Sequence, residues 1–448
     1  MSTSDSSEEC WSSPEGRKYL KELLIQLIPQ WENGPHEWQV NTTANILDGN
    51  DELLITACGD GKTAAAFLHL VVRQALARDP KLKRFGTKMV SNPLAIMVGP
   101  LVDLGTSQVE EMKKFGIHAV ALDAESIREA KRQGVDIYKK VEDGETPMVI
   151  LSPERLTEAK FDRLLRDQKL RENIVAYIVD EAHVVIPWGI QFRKDYAEIC
   201  RARHRIPADT PMLAMTATSR HGPMEKALKH VLGLRKDHIV TRRSCERTNV
   251  QTIYQTLTHG LDGTEFPDIA WVAAREDKKT IVYCKTIDQC YRVASYLRPG
   301  RLRPPGEERF KSIRTYHSLF WPSTNAETLR RFQDDPRTFV VVATIKFGMG
   351  IDVRRVTYVL TLGLPESIEQ DHQQRGRAMR DPLGIGIGIT YCEKNVVSAI
   401  AKELEDRDAD DEGSISDSEL VKREQKKKRK KKTRRRRISR SSQRTIHK

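Results

Sequence analysis

The amino-acid sequence predicts an α/β fold whose strands run parallel and divide over two sheets. Short, continuous, β-branched apolar runs recur at 52–57 (ELLITA), 93–99 (PLAIMVG), 147–151 (PMVIL), 174–179 (IVAYIV), 212–217 (MLAMTA), 280–284 (TIVYC), 339–344 (FVVVAT) and 356–362 (VTYVLTL). Helical stretches such as 63–78, 106–115, 155–169 and 286–297 lie between them. Apolar runs that do not alternate, separated by helices, mark parallel strands buried on both faces. Their number, about eight, is too many for one compact sheet of usual size.

Taken in order, these runs divide the chain. The polar segment 235–249, RKDHIVTRRSCERTN, breaks the strand rhythm and sets the expected boundary. The expected parts are an extension at 1–30, a first domain at 31–240, a second at 241–395 and a tail at 396–448. No repeat of fixed solenoid period is present. In the tail, EDRDADDEGSISDSE (405–419) is followed by KREQKKKRKKKTRRRR (422–437). Blocks of like charge repel and bury nothing, so a disordered segment is expected there.

Charge and cysteine content exclude several classes. The net charge of +13 is local: residues 422–448 hold 16 Lys/Arg and one Glu, leaving 59 Lys/Arg and 61 Asp/Glu before them. A body so nearly neutral binds any polyanion through local placement of charge rather than a global field. The seven cysteines are scattered without a C-x2-C pair, so neither a disulfide frame nor a zinc site is expected. The start, MSTSDSSEEC, is polar and acidic, and no apolar run reaches spanning length, so a soluble, non-secreted protein without membrane contact is expected.

The first chemical signal is ITACGDGKTAAAF (55–67), an apolar run passing through a glycine-containing loop into a strong helix former. Gly59 and Gly61 allow backbone N–H groups to turn inward, Lys62 can reach β and γ phosphates, and Thr63 can offer its hydroxyl to Mg²⁺. The helix beginning near Thr63 adds its positive end. Two features depart from G-x4-GK: Thr56 stands at the first glycine position, and Asp60 lies within the loop. A carboxylate about 4 Å from a phosphate in a screened site costs roughly 4 kcal/mol, but roughly 0.5 kcal/mol when about 8 Å away through water. The loop therefore works as a cradle if Asp60 points away, and is a plain turn otherwise.

A second signal is IVAYIV ending in Asp180, Glu181, Ala182 and His183. Open α/β sheets hold ligands at the carboxyl ends of their strands. There, Asp180 is the candidate Mg²⁺ ligand, and Glu181 the candidate group that polarises an attacking water. Two acids capping a helix are the alternative for the tetrapeptide alone; its pairing with GKT favours the catalytic reading.

In sequence order these motifs resemble a superfamily 2 helicase core, and more closely the RecQ family of DNA helicases, from about Trp31 to Tyr391. The resemblance implies two tandem RecA-like domains, ATP and Mg²⁺ as cofactors, and single-stranded and duplex DNA as partners. It places His36 and Gln39 at the adenine, and Cys58, Gly59, Asp60, Gly61, Lys62, Thr63 and Ala64 in the phosphate loop. GPLVDLGTSQV (99–109) and LSPERL (151–156) are similar to strand-binding motifs, which implicates Leu101, Gln108 and Arg155. DEAHVVIPWGIQFRKDY (180–196) resembles the DEAH box with its aromatic-rich loop, here Trp188, Phe192 and Arg193. Stacking on bases and an apolar face packed into the first domain both fit Trp188 and Phe192, spaced i, i+4.

MTATS (215–219) resembles the motif coupling nucleotide to strand, implicating Thr216, Ala217 and Thr218 with His183. RSCERTNV (243–250) resembles the passage into the second domain. TIVYCKT (280–286), YHS (316–318), VVATIKFGMGID (341–352) and QQRGRAMRD (373–381) are similar to that domain's motifs. They implicate Thr286 and Thr344 in strand contact, Gly350 and Asp352 in coupling, Gln373 in nucleotide sensing, and Arg377 and Arg380 as arginine fingers. His317 fits either site or a structural role.

Two departures bear on function. The family usually has glycine at the Met379 position, so Met379 adds bulk beside Arg380; the arginine itself is present, and whether the bulk impairs the finger stays open at this point. Many relatives also carry a four-cysteine zinc module and a winged helix after the core. Here only Cys392 lies at or beyond that point, so neither is expected and duplex opening is expected to be weak. The resemblance implies an ATP-dependent helicase or translocase moving 3′ to 5′ on DNA. RNA stays open as the strand, because no identified residue senses a 2′-hydroxyl. A catalytically inactive nucleic-acid-binding scaffold is the other alternative. The basic run 426–437 leads to an expected nuclear location and a non-specific phosphate contact. Protein partners are not legible.

Overall fold

The computed structural model describes residues 10–411 apart from 58, 100–101, 186–196, 220–221, 299–310, 345–352, 354 and 382–383. Cys58, Leu101, Trp188, Phe192, Arg193, Gly350, Asp352 and the segment 412–448 thus lie outside the described residues.

Two parallel sheets organise the chain, as expected of tandem RecA-like domains. The first contains β1 (Glu52–Ile55), β2 (Leu94–Val98), β3 (Ala119–Leu122), β4 (Met148–Leu151), β5 (Ile174–Val179), β6 (Met212–Thr216) and β7 (Ile239–Arg242), in the order β3-β4-β2-β5-β6-β1-β7. The second contains β8 (Val250–Thr256), β9 (Lys279–Tyr283), β10 (Ile313–Tyr316), β11 (Val340–Ala343), β12 (Val356–Leu362) and β13 (Gly386–Cys392), in the order β10-β11-β9-β12-β13-β8. Residues 243–249 join β7 of one sheet to β8 of the other.

Burial on both faces explains the continuous apolar runs. In β1, Leu54 packs into one core cluster while Leu53 and Ile55 pack into the cluster on the opposite face. The helix α1 (Pro14–Leu27) joins the first of these clusters through Leu20, Leu23 and Leu24, and Trp11 beside it is fully buried against Tyr19 and Phe85. Among the described residues no helix is long and apolar enough to cross a membrane, and the six described cysteines are free thiols.

The parallel topology positions the site. β1 delivers the loop 56–61 into α3 (Lys62–Arg78), and β5 and β6 end beside it with Asp180 and Ala217 at their tips. The carboxyl ends of β9 and β11 carry Thr286 and Thr344 in the same way on the second sheet.

Candidate active site

The loop after β1 is shaped by two left-handed glycines, Gly59 (φ 87°) and Gly61 (φ 89°), conformations that a Cβ disfavours. Gly61 caps α3, and Ala64 N donates back to its carbonyl at 3.1 Å. Gln39, on α2 (Glu37–Leu47), is buried under the loop: its Nε2 donates to Gly61 O at 3.2 Å, and its Oε1 accepts from His36 N at 2.9 Å. His36 itself lies parallel to Trp38, 6.5 Å between centroids.

Asp60 is turned back on the loop's own root. Its Oδ2 accepts from Thr56 Oγ1 at 2.6 Å and lies 3.4 Å from Arg243 Nε. The two departures from G-x4-GK therefore belong together: the hydroxyl at 56 holds the acid at 60 away from the loop's concave face.

Behind the loop lies a buried charge cluster. Lys62 Nζ is 3.8 Å from Glu181 Oε2. Glu181 N donates to Asp180 Oδ1 at 2.9 Å, and Gln108 Nε2 donates to Asp180 Oδ2 at 3.2 Å. Burial, then the Glu181 charge, push Asp180 up to about 6. Burial also opposes ionisation of Glu181, but Lys62, His183, Arg377 and Arg380 together outweigh it and hold that carboxyl below its ordinary value. Burial lowers His183. Thr63, the second residue of α3, and Asp180 offer only hard oxygen donors, a set that suits Mg²⁺ when phosphates and water complete its shell. Among the described residues no group of three or more His, Cys, Asp or Glu could hold a metal by itself.

Polar contacts run from this cluster to the second lobe. His183 Nδ1 lies 3.5 Å from Glu181 Oε2 and 3.0 Å from Thr216 Oγ1, which accepts from Thr218 N at 3.1 Å. Gln373, on the helix Ile368–Arg375, places its Nε2 2.9 Å from His183 Nε2. An imidazole that accepts there carries its proton on Nδ1, facing the acid and the threonine. A cleft of about 140 Å³ opens beside this bridge, walled by Ala57, Ala217 and Thr218 of the first lobe and His372 and Arg375 of the second.

The arginines reach across the cleft. Arg377 is buried and Arg380 half-buried, both close enough to depress Glu181. A Cβ built on Gly59 would lie 3.8 Å from Arg380 Cγ and Cδ and 3.7 Å from Arg247 Nη1. Met379 does not crowd the finger. Its backbone is left-handed (φ 32°), and its side chain packs against Gly384 and Gly386, where any Cβ would collide with it. The bulk that Met379 adds beside Arg380 is accommodated by these two glycines.

Several predicted strand-contact residues are engaged locally. Thr286 Oγ1 caps the helix Ile287–Leu297 by accepting from Gln289 N at 3.1 Å, and Arg155 pairs with Glu158. Thr344 N donates to Tyr316 O at 3.3 Å between neighbouring strands. His317 is buried and stacked on Phe320, with centroids 4.1 Å apart, and burial lowers its pKa. Sequence reading did not find Arg243, Arg247 and Asn249 of the connecting segment as parts of the site. Their one signal was the density of arginine in an otherwise irregular RSCERTN.

Paired sheets with a phosphate loop, an acid pair and facing arginines define the class, and comparison agrees. The family model for the DEAD/DEAH box helicase matches residues 36–226, and that for the helicase conserved C-terminal domain matches 265–382. The chain carries the modules of a superfamily 2 ATP-dependent helicase, and it is related to RecQ-family helicases at moderate identity over most of its length. It is 30% identical over 339 residues to the ATP-dependent DNA helicase RecQ of Haemophilus influenzae, covering 75% of this chain and 48% of that protein. It is 29% identical over 360 residues to the ATP-dependent helicase SGS1 of Saccharomyces cerevisiae, covering 79% and 22%. The chain thus spans about half the length of the bacterial relatives it matches.

Solved structures share the fold at low identity. The DEAD-box helicase Mss116 bound to ssRNA superposes with a TM-score of 0.63 at 18% identity, over 89% of this chain and 78% of that one. Mycobacterium smegmatis helicase Lhr bound to ssDNA does so with a TM-score of 0.58 at 20% identity, over 83% and 47%.

Proposed function

We propose that the protein is an ATP-driven DNA helicase or translocase that moves 3′ to 5′ along a single strand. The observation that carries this reading is the divided site: Lys62 and Glu181 stand on one lobe, while Arg377 and Arg380 come from the other.

In this reading the loop 56–63 holds the triphosphate by backbone N–H groups, and Lys62 leaves Glu181 to take the β and γ phosphates. Thr63 and Asp180 would hold Mg²⁺, whose chemistry there would be to supply positive charge to the phosphate oxygens. Glu181 orients water for attack on the γ-phosphorus. Arg377 and Arg380 stabilise the charge that spreads over the transferring group, a contribution of about 10³ to 10⁵ in rate for such fingers. Gln373 and His183 report which nucleotide is present, because their bridge needs both lobes in register, and Thr216 and Thr218 pass that state toward the strand. A cleft that closes on ATP and opens after hydrolysis converts turnover into displacement when both lobes hold one strand. DNA is favoured as that strand by the DNA helicases among the relatives.

ATP turnover is to be measured alone, with single-stranded DNA and with RNA, beside Lys62→Ala. Stimulation by DNA that vanishes in Lys62→Ala supports the reading. Stimulation by RNA alone reassigns the substrate, and turnover indifferent to Lys62 removes the activity. Displacement of duplexes bearing 3′ or 5′ overhangs reads the polarity. The proposal includes a nuclear location driven by the basic run, and nuclear import unchanged on deleting residues 420–448 would reject that part.

A further inference from the structure

We infer that Arg247 and Asn249, in the segment joining the lobes, are positioning residues that aim Arg380 by clamping the backbone on which it stands. The inference rests on the activity proposed above and deepens it.

Met379, immediately before Arg380, holds a left-handed backbone although it carries a Cβ, a conformation that persists where its surroundings impose it. The surroundings are a set of donors aimed at carbonyls. Met379 O accepts from Arg247 Nη2 at 2.6 Å and from Asn249 Nδ2 at 2.9 Å. Arg247 also donates to Gly376 O and Ala378 O, both at 3.3 Å. Asn249 also donates to Asp381 O at 3.3 Å and Gly384 O at 3.1 Å. The two side chains are tied to each other, Arg247 Nε donating to Asn249 Oδ1 at 3.2 Å.

Carbonyls turned toward a common point repel one another unless donors fill that point, so the backbone path from Gly376 to Asp381 depends on these two side chains. Met379 N, donating to Val356 O at 2.7 Å, pins the opposite side of the residue to β12. Between these anchors the chain leaves Met379 in the direction that brings the Arg380 stem against Gly59. Asn249 is the cleaner probe of the two, because Arg247 Nη1 itself approaches Gly59 and adds charge there.

The test uses the full chain with single-stranded DNA and steady-state ATP turnover. Asn249→Ala is expected to lower kcat about 10- to 100-fold, as a displaced finger does. KM for ATP should move less than about threefold, because the nucleotide is held by the first lobe. Glycine adopts the left-handed conformation unaided. Adding Met379→Gly to Asn249→Ala should therefore restore kcat to within about threefold of Met379→Gly alone, whereas a merely structural defect would not be relieved by a more flexible residue. A kcat for Asn249→Ala within twofold of the parent, or a loss that Met379→Gly leaves in place, overturns the clamp. If Asn249→Ala does not fold, Asn249→Ser, which keeps one short donor, is held to the same two criteria. Turnover in the parent that ignores Lys62→Ala overturns the activity itself and the clamp with it, so the two failures are distinguishable.

Discussion

Glu181 and Met379 are the two described residues that hold a left-handed backbone without being glycine, one in each lobe and both at the cleft, yet they differ in what their own side chains contribute. Glu181 adds its own charged side chain to its backbone bonds: its carboxylate lies between Lys62 and His183, its N–H donates to the preceding Asp180, and its carbonyl accepts from Val184 N. Met379 is held by other residues, through its carbonyl and its N–H. In the first lobe the strained residue is itself the candidate reacting group, and the cations the chemistry needs also hold it in place. In the second lobe the strain sits one residue away from Arg380, which leaves the arginine free to reach.

Removing charge without changing shape separates these two arrangements most sharply. Glu181→Gln should cut DNA-stimulated kcat by about 10² to 10³ if the carboxylate orients the attacking water. Phosphate release in single turnover checks this, and a loss below tenfold would show that Glu181 only fills space between Lys62 and His183.

A smaller effect distinguishes the cores. His69 is sealed in the first lobe, where burial and then the neighbouring Arg73 push it down to about 3. The native protein keeps it neutral, while the unfolded chain takes up a proton as pH falls through about 6.5. Stability is therefore full above that value and is lost as pH falls, by about 2 kcal/mol between pH 7 and pH 5. Urea midpoints at the two pH values should show this slope in the parent and a flatter one in His69→Leu. Equal slopes would place the acid sensitivity elsewhere.

The smallest effect concerns the phosphate loop. With its carboxylate turned toward Thr56 and Arg243, Asp60 is expected to act on a bound triphosphate only weakly, by roughly 0.5 kcal/mol if about 8 Å of water separates them. Asp60→Asn should accordingly lower KM for ATP about twofold. A tenfold fall would mean that the carboxylate faces the nucleotide.

The eight apolar runs read as strands are β1, β2, β4, β5, β6, β9, β11 and β12, and each has neighbours on both sides in its sheet. Five strands escaped notice, and four of them, β3, β7, β8 and β10, are the outer strands of the two sheets. The outer strands lack the continuous apolar run: β8, VQTIYQT, is exposed along most of its length, and β10, IRTY, is buried at three of its four positions but sets Arg314 and Thr315 between its apolar ends. The fifth, β13, GIGITYC, lies next to an outer strand and needs its glycines where Ala378, Met379 and Arg375 approach.

The site was legible where side chains do the chemistry, in GKT, in the acid pair and in the order of the motifs. It was not legible where backbone carbonyls are the partners, because a carbonyl has no letter in the sequence. Gln39 shows the same limit in a single residue: its amide is visible as a candidate for adenine, but not its bonds to His36 N and Gly61 O.

The bond from Thr56 to Asp60 makes the two positions unequal partners. With glycine at position 56 the acid would have no hydroxyl to hold it, and at about 4 Å from a phosphate it would cost roughly 4 kcal/mol of nucleotide binding. Losing the threonine alone should therefore damage nucleotide binding more than losing the acid alone, so the loop tolerates change at one end only while the other end keeps its residue.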